Sequence, residues 1–531
     1  MLAGGDDAVA ILNLTNELGD VYEEISTFLG CSMTANTADA EAQAALSAFE
    51  NRAIHFHKVR QLVTRWMAQT DSPDKGHDFH FKKAKVAAEH LMTEPEEALA
   101  ADLSPSSTKA WEKLYESVSS QVMVTVDGEE MSIVAARSMA TDPDRAKRKA
   151  AYEAELAGWK TVETPLAASM NGIKGAVLTL SERRGWGHPL DQACFHANQD
   201  RATLDAMISA ARKAFPDFRR YWHAKAKLLG VSKLAFYDLF APVGSLQPWS
   251  FEDGAAFVEE KFGEFAPHMR ELAARSVRER WIDIDPRPGK VGGAFCAPLP
   301  NGDSRILLNF KPSFSWVNTH AHELGHAYHN LCLRGRTALQ RDIPMTLAET
   351  ASIFCETYVR RAAMAKLEGR EDRLAMLDAT LTGAGQTVVD ITSRFDFESA
   401  VFAQRRERDL SAGELCEAMR QAQLGTYGEG LDTEQLHPYM WAAKPHYYSS
   451  ESYYNFPYMF GLLFALGLYN LYTVQPEGFV AKYDDLLSRT GMSDAATLAA
   501  EFGMDIRQEA FWNGSLDQLR ADIDEFVALV G

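Results

Sequence analysis

Apolar residues recur at helical spacing along most of this chain, and the pattern predicts a mainly α-helical protein. Residues 142–179 open with a capping aspartate and Pro143, which the first turn of a helix tolerates. Residues 255–281 also repeat apolar side chains at helical spacing. We therefore expect helices in both segments, within a helical N-terminal lobe (1–199) and a larger second domain (200–531).

Two segments depart from this pattern and predict β-structure. Residues 121–133 alternate apolar and polar side chains around Asp127-Gly128, which is a hairpin signal. Residues 289–310 contain two apolar runs on either side of the turn-forming sequence Pro300-Asn301-Gly302. A small amount of β-structure is therefore expected within the helical protein.

Composition and charge exclude some classes of partner. The chain has 531 residues, with 54 Lys and Arg against 73 Asp and Glu, a net charge of −19. Because nucleic acids and anionic membrane surfaces are bound through clustered cations, we expect neither as a partner. The six cysteines are scattered without a C-x-x-C pair, which is typical of a reducing compartment.

The location of the protein is predicted from two further segments. The first 20 residues lack a basic region followed by a sustained apolar stretch, so we expect no signal peptide. The most apolar stretch, 458–474, falls short of the roughly 20 apolar residues of a membrane-spanning helix. We interpret it as a buried helix and predict a cytoplasmic protein.

The strongest chemical signal is the segment NTHAHELGHAYHN, residues 318–330, which contains the pattern H-E-x-x-H. His322 and His326 are one helical turn apart, so both imidazoles can reach a single cation. Glu323 lies beside the first histidine and can act on water in an open coordination position. His320 and His329 lie off this pair and are interpreted as structural or supporting, since a catalytic zinc keeps one position open.

A hydrolytic zinc site needs a third protein ligand, and residues 345–361 offer candidates on a second predicted helix. Glu349 lies far enough beyond His326 for the chain to turn and return antiparallel. Glu356 follows about two turns later on the same face as Glu349. One carboxylate can bind the metal while the other accepts a hydrogen bond from a ligand imidazole. Asp342, in the preceding loop, is a weaker alternative ligand.

Together these segments resemble the zinc peptidases of the thimet oligopeptidase and oligoendopeptidase F group. The signature of that group joins H-E-x-G-H to a downstream E-x-x-S, here residues 322–326 and 349–352. The resemblance implies that His322, His326 and Glu349 bind one zinc ion per chain. It also implies that Glu323 is the general base and that Glu356 supports a ligand imidazole.

Residues 441–461 resemble the His- and Tyr-rich segment of the same family. Peptide hydrolysis builds negative charge on the carbonyl oxygen, which imidazole and phenol donors stabilise. The resemblance implies this role for His446 and Tyr458, with Tyr454 near the substrate. The spacing leaves the choice among Tyr453, Tyr454 and Tyr458 open, and Tyr453 is also a candidate substrate contact.

The region 289–310 has a further implied role. A strand at the edge of a cleft can pair with an extended peptide through main-chain hydrogen bonds, and members of the family present such a strand. Gly293 and Ala294 are therefore candidate substrate contacts, together with the residues through Cys296.

The resemblance also implies a fold and an activity. The fold is mainly α, with two helical lobes around a deep substrate channel and a small β-sheet beside the zinc-site helix. The activity is zinc-dependent endopeptidase cleavage of short, unstructured peptides by the catalytic domain, residues 200–531. Two alternatives stay open: a zinc carboxypeptidase or dipeptidase of related fold, and a peptide-binding protein that keeps metal without turnover.

Overall fold

Helices make up most of the protein, which confirms the predicted mainly α fold class. The computed structural model describes residues 8–244 and 246–531. In chain order the α-helices are α1 Ala8–Ala35, α2 Ala40–Gln69, α3 Asp78–Glu89, α4 Glu94–Leu103, α5 Thr108–Ser119, α6 Ile133–Ser138, α7 Arg145–Thr161, α8 Glu163–Arg183, α9 Pro189–His196, α10 Arg201–Leu228, α11 Phe251–Phe265, α12 Pro267–Arg278, α13 Phe314–Cys332, α14 Met345–Ala348, α15 Thr350–Met364, α16 Arg370–Gly385, α17 Ile391–Arg405, α18 Ala412–Tyr427, α19 Met440–Ala443, α20 Phe456–Val474, α21 Phe479–Leu487, α22 Ala495–Glu501 and α23 Glu509–Val530. A π-helical turn, Gln386–Asp390, joins α16 to α17.

The predicted hairpin around Asp127-Gly128 is confirmed. Strands β1 (Met123–Val126) and β2 (Glu129–Ser132) pair antiparallel through a two-residue turn. Asp127 has a φ of 50° and Gly128 a φ of 87°, which is the left-handed backbone that the tightest hairpin turns require.

The second predicted β-region is also confirmed, and a third strand joins it. Strand β4 (Phe295–Pro298) pairs antiparallel with β5 (Ser304–Leu307), and β3 (Ile282–Asp283) pairs parallel with β5 on the other side. The strand order is β3-β5-β4, so β4 is at the edge of this sheet. Sheet residues Ile306 and Leu307 are buried, and β4 lies against α13.

Each long segment predicted to be helical consists of two helices. Helix α7 begins at Arg145 and is capped by Asp144, which accepts from the Ala146 amide at 2.8 Å, so Pro143 precedes the helix and is not in its first turn as predicted. A break at Val162 then separates α7 from α8. The second break is at Ala266, whose extended backbone precedes Pro267. A residue before proline is disfavoured in the α conformation, and apolar spacing alone did not reveal this boundary.

The chain forms two compact units, and each consists of three separate chain segments. The first unit comprises Met1–His90, Leu246–Lys366 and Phe464–Asp505; the second comprises Leu91–Ser245, Leu367–Leu463 and Ile506–Gly531. The boundary predicted between residues 199 and 200 lies within the second unit, and the division into N-terminal lobe and catalytic domain stays a prediction. Residues 1–7, part of the segment inspected for a signal peptide, lie outside the described residues.

Each unit has its own core. In the first, an aromatic cluster holds α11, α15 and α21 together through Phe265, Phe354 and Tyr483, with ring centroids 4.7–6.2 Å apart. In the second, α10 packs along α23, and Trp222 and Tyr427 are buried with their rings 5.1 Å apart.

Helix α20 bears on the question of a membrane. By length and composition alone this helix could cross a bilayer, although the sequence predicted an apolar stretch too short to do so. However, 56% of its most apolar window is buried inside the protein, as is usual for a core helix of a soluble protein. Over the described residues it is the one helix that meets this minimal criterion.

Candidate metal centre

The helix that carries H-E-x-x-H has one face in the core of the first unit. Ser313 caps α13 by accepting a hydrogen bond from the Trp316 amide at 3.4 Å. The side chains of Val317, Ala321 and Leu324 are fully buried, so they fix the rotation of the helix. With that face buried, His322 and His326 point away from it and are each 24% exposed.

The two histidines converge on one carboxylate. Glu349 Oε2 lies 3.3 Å from His322 Nε2 and 3.4 Å from His326 Nε2. The potential ligand atoms of these three residues all lie within 4.8 Å of one another. Glu349 occupies the joint between α14 and α15, where its non-helical backbone (φ −88°, ψ 4°) ends one helix and begins the next.

Close contact between α13 and α15 allows this convergence. A β-carbon on Gly325 would lie 2.6 Å from Ser352 Cα and 2.7 Å from the Ala351 carbonyl oxygen. Only a residue without a side chain permits so short a distance between two helix backbones. Ser352 also donates its hydroxyl to Glu349 Oε2 at 2.6 Å, which orients the carboxylate.

A second carboxylate supports His322 from the other side of its ring. Glu356 Oε2 lies 3.0 Å from His322 Nδ1, and Glu356 Oε1 accepts a hydrogen bond from the Asn318 side-chain amide at 2.9 Å. A carboxylate on Nδ1 keeps a proton there and leaves Nε2 free to bind a metal. Glu356 therefore orients this imidazole and favours a proton on its Nδ1.

The charges around these residues favour a cation. Burial lowers the pKa of His322, but the hydrogen bonds to Glu349 and Glu356 outweigh it and raise that pKa to about 10. Burial raises the pKa of Glu349, while the two histidines hold it far below its usual value. A divalent cation between the two imidazoles and the Glu349 carboxylate would interact with the same nitrogen and oxygen atoms that share protons here.

Glu323 is adjacent to this group and differs from it chemically. Its side chain is largely buried, and Oε2 has no hydrogen-bond partner among the described residues. Burial and the two neighbouring glutamates raise its pKa, while His322 and His326 lower it. A carboxylate without a committed partner and with a raised pKa is suited to accepting a proton.

These residues fit a zinc ion. Two imidazole nitrogens and one carboxylate oxygen are the donor set of many catalytic zinc sites, which leave further positions open to water and substrate. A catalytic zinc site also needs a proton acceptor beside it, and Glu323 Oε2 lies there without a hydrogen-bond partner among the described residues. His322, His326 and Glu349 would hold the ion.

The remaining candidates in this region lie outside the group. His320 is buried, and its ring packs against Phe251 at 5.3 Å. His329 is buried with Nε2 2.8 Å from the Thr490 hydroxyl, and burial lowers its pKa to about 3. Asp342 is exposed and pairs with Arg60 at 3.3 Å, so it is not part of the donor set.

The candidate substrate contacts at Gly293 and Ala294 lead into edge strand β4. Gly293 is exposed with a φ of 83°, a conformation that favours glycine. The Asn309 side-chain amide donates to the carbonyls of Val291 and Gly293, both at 2.9 Å, and holds this loop in place.

His446, Tyr454 and Tyr458 form a separate group in the second unit. The rings of His446 and Tyr454 are stacked 5.2 Å apart, and the Tyr458 ring lies 6.4 Å from His446. Burial, Arg394 and Lys444 lower the pKa of His446 to about 4, so the imidazole is neutral near pH 7. Neutral imidazole and phenol groups can donate hydrogen bonds to a developing oxyanion.

Tyr453 does not group with these residues. It is 2% exposed and packs against Phe395 and Phe402, with ring centroids 5.3 and 5.6 Å away. Its φ of 57° is in the left-handed region, which a residue other than glycine rarely adopts. Tyr453 is therefore a core residue of the second unit.

The sequence did not predict a function for three residues that help to position the candidate ligands. Gly325 lies inside H-E-x-G-H, Ser352 ends E-x-x-S, and Asn318 precedes His322 by one helical turn. The motif spacing was the available signal for the first two, since a serine three residues after a helix-starting glutamate can reach back to its carboxylate. Nothing in the sequence distinguishes Asn318 from an ordinary polar residue.

Comparisons with known proteins bear on the family through the sequence and on the fold through solved structures. The sequence model described as Peptidase family M3 matches residues 138–517. An oligoendopeptidase F homolog of Lactococcus lactis is 21% identical over 99% of this chain and 91% of its own. A crystal structure from Chlamydophila abortus covers 100% of this chain and 92% of its own, with 19% identity and a TM-score of 0.87. The crystal structure of oligoendopeptidase-F from Enterococcus faecium matches 99% of this chain and 94% of its own, with 16% identity and a TM-score of 0.73.

Proposed function

The chain belongs to peptidase family M3, and from this premise we propose that it is a zinc-dependent endopeptidase of short, unstructured peptides. The observation that carries the proposal is the convergence of His322, His326 and Glu349, with buried Glu323 beside them. The relatives named oligoendopeptidase F support internal cleavage of oligopeptides.

One zinc ion per chain is proposed as the cofactor. When bound, zinc would polarise the scissile carbonyl and make water acidic enough to lose a proton near neutral pH. The role of Glu349 is supported by its position against both Nε2 atoms, and that of Glu356 by its hydrogen bond with His322 Nδ1.

Glu323 is proposed as the general base. It accepts the proton of the attacking water and returns it to the leaving amine, so one carboxyl group serves both steps. The absence of a hydrogen-bond partner for its Oε2 among the described residues supports this role, because an oxygen that already accepts a hydrogen bond would take up the proton of water less readily.

Hydrogen-bond donation to the oxyanion is proposed for His446 and Tyr458, with Tyr454 as a substrate contact. The support is the resemblance of residues 441–461 to the corresponding family segment and the grouping of the three rings in the second unit. The neutral state of His446 suits a donor that must not carry a permanent charge.

The proposed substrate contacts at β4 follow from its position at a sheet edge. An extended peptide can add a strand to such an edge through main-chain hydrogen bonds, which selects an unfolded backbone with little regard to sequence. Gly293 and Ala294 precede this edge and are proposed to contact the same peptide. No nucleic acid or membrane is proposed as a partner.

A cytoplasmic location is proposed as well. All six cysteines are free thiols, as is usual in a reducing compartment. Detection of the native protein in the soluble fraction of its cell, with its thiols reduced, would support this location.

The activity is tested with an internally quenched peptide blocked at both ends, together with metal analysis of the purified protein. We expect stoichiometric zinc, cleavage between internal residues, and loss of cleavage on addition of a chelator. Cleavage that requires a free C-terminus would instead identify a carboxypeptidase. Zinc with no cleavage of any peptide would identify a peptide-binding protein.

The base is tested with Glu323→Gln, and exposed Glu368→Gln is the matched control. We expect a loss of at least about a hundredfold in kcat for Glu323→Gln, the scale of general-base catalysis, with zinc retained. The control should match the parent. Unchanged cleavage by Glu323→Gln would remove the base assignment.

A further inference from the structure

The second unit contains a cavity that the proposed hydrolysis does not use. Its volume is about 390 Å³, and none of the residues assigned above to metal, base or oxyanion lines it. It is bordered by α6, α7, the turn at Phe236–Asp238 and the segment 437–444. Val134 at its border is 66% exposed, so the cavity reaches solvent.

Lys444 places its amino group at this cavity. Its ammonium has no hydrogen bond and no ion pair with any residue in the two described stretches of chain. Burial, Arg394 and Arg137 lower its pKa to about 7, and the acids Asp390 and Glu155 offset this only in part. A half-buried ammonium without a partner is costly, and an anion beside it would remove that cost.

The nearest acids are already engaged with other groups. Asp390 pairs with Arg394 at 2.5 Å and accepts the Tyr427 hydroxyl at 3.1 Å. The charge of Asp390 is therefore already paired with Arg394, and no hydrogen bond between Asp390 and Lys444 is found in the described residues.

Glu155 is engaged in the same way. Its Oε1 accepts the Trp159 indole N–H at 3.1 Å and lies 3.4 Å from His437 Nε2. The cations of the cavity therefore exceed its available anions, within a chain of net charge −19.

Arg137 adds a second cation beside Lys444. Its guanidinium donates to the Ala443 carbonyl at 2.9 Å, which holds it next to the lysine in the chain. Its Nε lies 4.0 Å from Glu155 Oε1, and this carboxylate is shared with Trp159 and His437. Two neighbouring cations of this kind match the two oxygens of a carboxylate.

The other walls of the cavity are aromatic. Tyr152 and Tyr237 lie with ring centroids 5.2 Å apart, and Phe236 lies 5.3 Å from the His437 ring. The Tyr152 hydroxyl donates to the Leu436 carbonyl at 2.5 Å, so its hydrogen bond is used within the protein. These rings offer an apolar surface to a ligand whose charged end meets the two cations.

We propose that this cavity binds a small organic carboxylate that carries an apolar group, with Lys444 and Arg137 receiving the carboxylate. Tyr152, Phe236 and Tyr237 contact the apolar group. The volume suits a ligand of roughly amino-acid to dipeptide size, at the small end of ligand pockets. Gln386, in the π-helical turn, also lines the cavity, and such turns are frequent at functional sites.

The test is calorimetric binding of N-acetyl-phenylalanine to the full-length metal-loaded protein, compared with its uncharged carboxamide. We expect the acid to bind and the amide to bind at least about tenfold more weakly, the effect of losing one charge-assisted contact. Sodium phosphate is the probe for an inorganic anion. If phosphate displaces the acid at equal concentration, or if acid and amide bind equally, the proposal is wrong.

Variants locate the binding. Lys444→Met should weaken binding of the acid at least about tenfold, while Lys147→Met, an exposed lysine on α7, should leave it unchanged. Equal binding by Lys444→Met and the parent would place the acid elsewhere, for example on the metal, and overturn the proposal. If Lys444→Met does not fold, a crystal of the parent protein soaked with the acid decides by whether density lies beside Lys444 Nζ.

Discussion

Gly325 and Ser352 lie so close that a β-carbon on the glycine would be 2.6 Å from the serine α-carbon. The contact joins the helix of the two histidines to α15, the helix that Glu349 immediately precedes. Since Ser352 also orients the Glu349 carboxylate, the same contact sets both the spacing of the helices and the direction of the third ligand.

Gly325→Ala is therefore expected to destabilise the protein and weaken its metal binding. The new methyl group meets backbone atoms that cannot rotate away, so the helices must separate at a cost of about 1–3 kcal/mol. Denaturant unfolding and a zinc competition titration measure the two effects. Gly383→Ala is the control: its site is exposed with nothing within 4 Å, and it should raise stability by about 0.5–1 kcal/mol. A Gly325→Ala protein as stable as the parent would show that the contact is not tight.

Glu356→Gln is expected to reduce zinc affinity or activity by about 10–100-fold, the usual effect of removing a carboxylate behind a ligand imidazole. The neutral amide can still contact His322 Nδ1, but it no longer raises the basicity of the ring. Competition with a chromophoric chelator measures the affinity, and Glu368→Gln is again the control. Affinity equal to the parent would mean that His322 is oriented by its packing alone.

Removal of metal is expected to lower the thermal midpoint of the parent protein. The ligands come from α13 and from the joint before α15, so bound zinc stabilises the folded state by roughly 4 kcal/mol at a thousand times its Kd. His326→Ala should melt at the same temperature with and without chelator, whereas exposed His55→Ala should behave like the parent. A parent protein insensitive to chelator would contradict a metal shared between these helices.

Lys174→Met is expected to destabilise the protein by about 3–5 kcal/mol, because it leaves Glu398 charged in the core without a partner. The two side chains are 2.6 Å apart and at most 3% exposed. Lys149→Met is the control, since its pair with Glu153 is exposed and worth at most about 1 kcal/mol. Urea unfolding compares the two, and equal losses would mean that water reaches Glu398.

Recovery in a double variant completes that test. Lys174→Met combined with Glu398→Leu replaces the ion pair by apolar groups and should regain most of the lost stability. A double variant no more stable than Lys174→Met would show that the loss comes from packing and not from the unpaired charge.

Local patterns in the sequence predicted the helical fold class and both hairpins. Asp127-Gly128 and Pro300-Asn301-Gly302 determine their turns through backbone preferences, which are properties of a few neighbouring residues. Helical spacing likewise placed His322 and His326 on one face. The helix breaks at Val162 and Ala266 were missed because apolar spacing continues across them.

Features that depend on distant residues could not be read from one sequence. The burial of Tyr453 follows from Phe395 and Phe402, which neighbour it only in the folded unit. The nearness of Glu349 to both histidines was an inference from motif resemblance, since spacing alone left Glu356 and Asp342 as alternatives.

The interleaving of the two units has a consequence during synthesis on the ribosome. The first unit needs residues from Phe464 to Asp505 and the second needs residues from Ile506 onward, so neither has its full set of segments until the chain has been made beyond these points. The early helices must then remain soluble while they wait for late partners, and α1 and α2 carry several solvent-facing leucine, valine and isoleucine side chains. A nascent chain of this kind is a natural client for a chaperone that holds unfinished proteins.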